Sequence, residues 1–301
     1  LYNTVDSLIV GNFLGSSALA AVSSSGSLIF MLIGFLSGIS AGAGVIVARF
    51  FGAGDEKNLQ RAVHTTVAFG LVAGVLMTGV GVALSPQILR WMDTPESVMR
   101  ESVTYLQIYF AGSLGFVMYN VLVGILQAVG DSRHPLYYLI VSSVINLVLD
   151  LLFITGFHTG VGGAAVATVI SQIVSALLCF WQLLRTKESY GLKIRKIRFD
   201  KGILVQIIKI GLPSGVQNSI IAFANVIVQS NINAFGEMAM AGYGAYTKVE
   251  GFGFLPINSF TMALTRFVGQ NLGAKQEERT RKGARFGILA AVTVSYTHLT
   301  L

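Results

Sequence analysis

The chain has 301 residues, of which 53% are apolar, only 12% are charged and 34 are glycine, and its mean hydropathy is +0.68. A soluble domain carries about a quarter of its residues as charges, so a soluble enzyme, a nucleic-acid binder and a disordered chain are excluded, and a membrane protein is implied. The net charge of +7 then matters through where the cations lie along the chain.

A hydrocarbon core of about 30 Å needs about 20 apolar residues per crossing helix. Scanned with that window, the sequence predicts a first span ending at Leu14. Further spans follow at about Leu19 to Ala48, Ala62 to Leu84, Val103 to Val129, Tyr137 to Gly156, Val161 to Leu184, Ile203 to Phe235 and Tyr243 to Val268, and a ninth begins near Phe286. The first span reaches only about 21 Å as given, which predicts further residues upstream. Cys179, inside an apolar stretch, can form no intrachain disulfide and reads as a small lipid-facing or core residue. His64, His134 and His158 stand singly at span ends, as interface or cap residues. Ser295-Tyr296-Thr297-His298-Leu299 is more polar than a ninth span should be; Val294 to Leu299 reads as a translated sequencing-library adapter, so His298 is given no role.

Lysine and arginine alternate by loop. Arg49, Lys57 and Arg61 follow the second span and Arg133 the fourth; the run from Arg185 to Lys209 follows the sixth, and Arg266 with Lys275 to Arg285 marks the eighth. The opposite loops keep only Arg90, Arg100 and Lys248. The even-numbered loops are therefore cytoplasmic, and the basic stretch from Lys193 to Lys201 is a topology anchor near anionic lipid, not a nucleic-acid surface. This longest charged connection predicts a boundary: a six-helix lobe over 1–184, a basic linker over 185–202, and the start of a second lobe over 203–301.

Shifted by 221 residues, the chain matches itself without a gap. Asn12 and Gly15 meet Asn233 and Gly236, Ala18 and Ala20 meet Ala239 and Ala241, Val47 meets Val268, and Gly52-Ala53 with Glu56 meet Gly273-Ala274 with Glu277. The repeat holds six spans. An even number makes the two copies parallel, about an axis along the membrane normal, as in one class of secondary transporters. Two complete repeats need roughly 440 residues, so the arithmetic predicts a longer protein, of which about two and a half helices of the second lobe are present here.

A charge at mid-bilayer costs at least ~2.5 to 3.5 kcal/mol and marks a pathway or relay. Asp6 in the first span and Asp150 in the fifth are the clear cases, and Glu250 lies near a helix mouth. Ser142, Asn146 and Asp150 recur every four residues and form one polar stripe. Thr168, Gln172 and Ser175 line one face of the sixth span, and Asn120 and Gln127 share a face of the fourth. Carboxylate, amide and hydroxyl oxygens without a cysteine or histidine cluster suit a hard cation such as Na⁺, or a proton, rather than a transition metal. A buried carboxyl exchanging either ion as a cavity opens alternately is a coupling device. Opposite Asp6 the second lobe has Ile227, with Gln217, Asn218, Asn225, Gln229, Asn231 and Asn233 as neutral polar groups.

Several segments together resemble the multidrug and toxic compound extrusion (MATE) family. They are Tyr2-Asn3-Thr4-Val5-Asp6-Ser7 with Gly15 and Ala18 to Val22, Phe51-Gly52-Ala53-Gly54, Gly130-Asp131-Ser132-Arg133, Asn146 with Asp150, Gly162-Gly163-Ala164-Ala165, and Gly269-Gln270-Asn271-Leu272-Gly273-Ala274. The resemblance implies an all-α, polytopic, two-lobe bundle in a prokaryotic plasma membrane. It implies no enzyme activity and no cofactor. The function implied is antiport: lipophilic, cationic organic compounds leave in exchange for Na⁺ or H⁺, with a monomeric protein in membrane lipid. On the matching positions it assigns the coupling ion to Asp6, Asn146, Asp150 and Thr168, with Asn120 the nearest match to a fourth-helix asparagine. Gln172, Gln229 and Glu250 are further cavity candidates.

Three rivals are weighed, of which a non-transporting membrane scaffold would leave Asp6 and Asp150 unexplained. An intramembrane aspartyl protease would need a Gly-x-Gly-Asp signature, and the nearest string, Ala128-Val129-Gly130-Asp131, lacks the first glycine. A lipid-linked saccharide flippase of the same superfamily would need basic residues in its central cavity, and none is evident between the spans.

Overall fold

The computed structural model describes residues 9–92, 94–233, 235 and 237–300. A helical stretch at 9–14 (α1) precedes α2 (Ser16–Gly52), α3 (Glu56–Trp91), α4 (Glu96–Ala111), α5 (Ser113–Ala128), α6 (Arg133–Leu151) and a π-helical turn (Leu152–Gly156). After these come α7 (Gly160–Arg185), a 3₁₀ turn (Ile194–Lys196), α8 (Lys201–Asn233), α9 (Glu237–Gly273) and α10 (Glu277–Thr300). In hydrocarbon every backbone N–H and C=O must be satisfied within its own segment, which is why the long apolar runs become helices.

Among the described residues five helices are long and apolar enough to cross a membrane, or six when α4 and α5 count as one span bent by 46°. The fourth span is thus a broken helix, interrupted at Gly112, not the single rod expected. The third continues past its expected limit at Leu84, through Pro86, to Trp91. Proline offers no N–H to the carbonyl one turn back; here Gln107 Nε2 of α4 donates to that oxygen, on Val82, at 3.4 Å. The ninth expected span is α10, which continues to Thr300 despite its polar final turns.

Short turns close the basic end of the bundle. Gly54 (φ 65°) and Gly130 (φ 93°) adopt the left-handed conformation that favours glycine, and each precedes an aspartate that serves a helix start. Asp55 accepts the Asn58 N–H at 3.0 Å, and the backbone and side-chain bonds from Asn58 hold its carboxyl below its ordinary value. Asp131 accepts the His134 N–H at 3.2 Å. The connection from α7 to α8 is strapped onto α3. Gln60 Nε2 donates to Gly191 O at 3.0 Å and also to Ser189 O. His64 Nε2 accepts the Lys193 N–H at 3.0 Å, and Thr65 Oγ1 accepts the Asp200 N–H at 3.0 Å. Because His64 Nε2 is an acceptor, Nδ1 carries the proton and donates to Gln60 O at 2.6 Å.

The outer surface is apolar: α3 exposes Val72, Val75, Leu76 and Val80, and α6 exposes Leu136, Ile140, Val144 and Val148. Inside, one apolar cluster near the basic end contains Ile46, Leu59, Val63, Leu122, Leu126 and Leu183. Cys179, fully buried, belongs to it. A second, toward the other end, contains Ile29, Leu89, Tyr105, Phe110, Ile154 and Val161. Along α7 the two are separated by a buried polar stretch, Thr168, Ser171, Gln172 and Ser175.

The helices before and after the linker meet most extensively where α2 runs antiparallel to α8. Gly38 faces Gly215 and Gly42 faces Gly211, so backbone touches backbone. The ends of α2 and α9 run parallel, and there Gly52 lies on Gln270 while Gly273 lies on Arg49. A shift of 221 carries Gly52 to Gly273 and Arg49 to Gln270. The contact is therefore its own reciprocal, as a two-fold axis along the helices requires.

Candidate functional site

The inward face of α6 is polar and its outward face apolar, the reverse of a helix in a soluble protein. Its buried residues are Pro135, Ser142, Asn146 and Asp150. Asn146 is 1% exposed, and Asp150 and Thr168 are 0% exposed. Across the helix interface Asn146 Nδ2 donates to Thr168 Oγ1 at 3.5 Å. Ser171 Oγ donates to Thr168 O at 2.8 Å, and Ser175 Oγ donates to Ser171 O at 3.1 Å. A hydroxyl that spends its proton on its own helix keeps lone pairs for a cation. The layer lies at mid-helix: Thr168 is about 12 Å from the start of α7, and Ser175 about 15 Å from its end. Two residues past Asp150 the helix passes into the π-helical turn, a feature frequent at functional sites.

The sequence-predicted residues divide between places. Asn146 and Thr168 meet in this layer, Asp150 lies one turn beyond Asn146 on the same buried face of α6, and Gln172, 7% exposed, lies one turn beyond Thr168. Ser171, between them and fully buried, went unremarked in the sequence, although its three-residue spacing from Thr168 was visible. Asn120 does not join the layer; it donates to Phe116 O at 2.8 Å and lines a separate cavity. Glu250 sits well within α9 rather than at a helix mouth, accepting the Tyr246 hydroxyl at 3.0 Å. Asp6 and the side chain of Gln229 lie outside the described residues.

That cavity, about 540 Å³, is enclosed by α2, α5, α8 and α9. On α2 it is lined by Ser37, Gly38, Ser40, Ala41, Gly44 and Val45, and on α9 by Asn258, Thr261, Met262, Thr265 and Arg266. Each α9 residue is one of these α2 residues shifted by 221, so the cavity straddles the two-fold axis. Asn120 and Gln127 of α5 and Asn218 of α8 complete its polar wall. Arg266, placed by the sequence with a cytoplasmic loop, lies seven residues inside the end of α9 and faces the cavity, so a basic residue does stand between the spans. The two-fold shift, which pairs it with Val45, was the signal that could have found it.

An all-helical bundle with an apolar exterior, several spanning helices and a polar interior layer defines an integral, multi-pass membrane protein. A family model described as MatE matches residues 1–152 and 213–299. The chain belongs to the MatE family. It is 34% identical to the probable multidrug resistance protein YoeA of Bacillus subtilis, over 94% of this chain and 63% of that protein. It therefore spans about 63% of the length of this relative. Among solved structures, a multidrug resistance MATE transporter in an outward-facing conformation aligns with a TM-score of 0.89 at 26% identity, over 96% of this chain and 64% of that one. An inward-facing conformation aligns with a TM-score of 0.75 at 27% identity, over 96% and 66%.

Proposed function

We propose that the protein is a secondary antiporter that exports small organic compounds in exchange for Na⁺ or H⁺. The observation that carries this reading is the inverted α6: its buried face carries Asn146, which donates to Thr168, and a fully buried Asp150 one turn further on, beside the π-helical turn. A carboxyl buried inside a spanning helix is costly and marks an ion pathway or relay. Asp6 joins these three as the fourth ligand. Residues 1–184 form the ion-binding lobe, 185–202 the cytoplasmic linker, and 203–301 the opening helices of the second lobe. The closer likeness to the outward-facing transporter, with the reciprocal glycine contacts at the basic end, supports a state closed toward the cytoplasm. The multidrug names of the relatives support small organic cargo, and lipophilic cations are the cargo that the family resemblance implies.

The test is efflux of a fluorescent lipophilic cation from proteoliposomes under an imposed Na⁺ or H⁺ gradient. The expected result is gradient-driven export that Asp6→Asn and Asp150→Asn each abolish. Export that ignores both gradients, or survives both substitutions, sinks the proposal. One observation favours a second reading, a carrier of lipid-linked saccharide phosphates: Arg266 faces the cavity. That carrier would move its cargo without dependence on Asp150.

A further inference from the structure

The cavity between α2, α5, α8 and α9 is built from amides, hydroxyls and a few apolar groups. Among the described residues that line it, Arg266 is the one charged side chain. Among the described residues its guanidinium has neutral partners only. Nη1 donates to Met262 O at 3.2 Å, and Nη2 donates to Gln127 Oε1. The ion pairs among the described residues are Arg61–Asp200, His134–Asp131 and Lys282–Glu278, and none involves Arg266. A guanidinium stays charged, and a half-buried charge in a membrane protein calls for a counter-ion or a functional role. A topology anchor needs no such placement. Arg266 points inward about 10 Å from the end of α9, and the position related to it by the two-fold axis, Val45, is apolar and lines the same cavity.

We infer that Arg266 is an anion-recognising group of this cavity, and that the cargo includes amphiphiles whose carboxylate, sulfonate or phosphate pairs with its guanidinium. This rests on the transporter reading above and goes beyond it in naming a cargo class. The guanidinium has five N–H donors in a planar fork, enough to take a carboxylate in bidentate fashion while Gln127 is released. Met262, Val45 and Val123 offer apolar contact to the rest of the molecule. A lipophilic cation meets no carboxylate in the described lining and gains no ion pair there, so only its apolar contacts favour it.

The test is equilibrium binding to the protein in phosphatidylcholine nanodiscs, using dansylglycine, its neutral methyl ester, and tetraphenylphosphonium. Dansylglycine is expected to bind, and Arg266→Gln to weaken it at least tenfold while changing the ester less than twofold. Arg266→Lys recovers part of the loss. Gln127→Ala, which removes a competing acceptor, tightens dansylglycine, so a gain guards against misfolding of the first variant. If phosphatidylglycerol in the nanodisc displaces dansylglycine from the native protein but not from Arg266→Gln, a lipid phosphate shares the same anion site. Equal losses for acid and ester in Arg266→Gln, or binding of tetraphenylphosphonium without dansylglycine, overturn the inference. Failure of antiport with this binding pattern intact overturns the coupling reading alone.

Discussion

Gly52→Ala and its two-fold counterpart Gly273→Ala probe how the basic end is closed. A Cβ on Gly52 would overlap the Gln270 carbonyl and stand 2.6 Å from Gln270 Cα, where ordinary contact begins near 3.4 Å. A Cβ on Gly273 would overlap Arg49 O and stand 2.9 Å from Arg49 C. The obstacles are backbone atoms, which cannot rotate aside, so α2 and α9 must part by at least about 0.8 Å. Overpacking of this kind costs about 1 to 3 kcal/mol. If that cost falls on the closed state alone, its population relative to the open one drops about 5- to 150-fold. Ser40→Cys, lining the cavity, reports the change in a Cys179→Ala background. Its labelling by an impermeant maleimide from the basic side should accelerate by that factor in either glycine variant. Gly79→Ala, whose Cβ would meet nothing within 4 Å, should leave the rate unchanged. Equal rates in all variants would refute the claim that this contact closes the cavity.

Other substitutions test separate parts of the account. Thr168→Val removes the hydroxyl that accepts from Asn146 at nearly constant volume, and coupling-ion affinity should fall about tenfold, with each hydrogen bond to a charged ligand worth about 1.5 to 3 kcal/mol; an unchanged affinity removes Thr168 from the site. Gln60→Ala or His64→Ala frees the linker from α3 at about 1 kcal/mol per lost bond. Tryptic cleavage near Arg195 and Lys196 should then rise about fivefold in His64→Ala, which loses one bond to the linker, and about 30-fold in Gln60→Ala, which loses two, since cleavage follows the open population; a constant rate shows that the strap is held elsewhere. Leu122→Ala, at a fully buried position in the cluster near the basic end, should cost about 2 to 5 kcal/mol and lower the thermal midpoint in detergent, and an unchanged midpoint contradicts its place in the core.

The polar layer was legible because lipid reverses the usual code. In an apolar helix three polar residues at four-residue spacing stand out, and Ser142, Asn146 and Asp150 are almost the whole buried face of α6. The parallel repeat was legible too: the shift that aligned Gly52-Ala53 with Gly273-Ala274 reappears as the reciprocal contact of Gly52 and Gly273. The break at Gly112 was not, since apolar residues continue on both sides of it and hydropathy carries no bend. The continuation of α3 through Pro86, beyond the expected end at Leu84, was not legible either, because the carbonyl that proline leaves is taken up by a side chain from another helix, Gln107. Arg266 was misplaced because counting charges by loop treats every arginine near a span end as an end marker. Whether it points to lipid headgroups or into a cavity depends on which helix faces it, and that is a property of packing.

Ion binding to the purified protein without cargo is the most direct test of the coupling site. Saturable ²²Na⁺ binding, or uptake of a proton on acidification, should occur at a single ion per chain and vanish in Asp150→Asn while the variant keeps its native helix content. Undiminished binding of either ion by a folded Asp150→Asn protein would contradict the account.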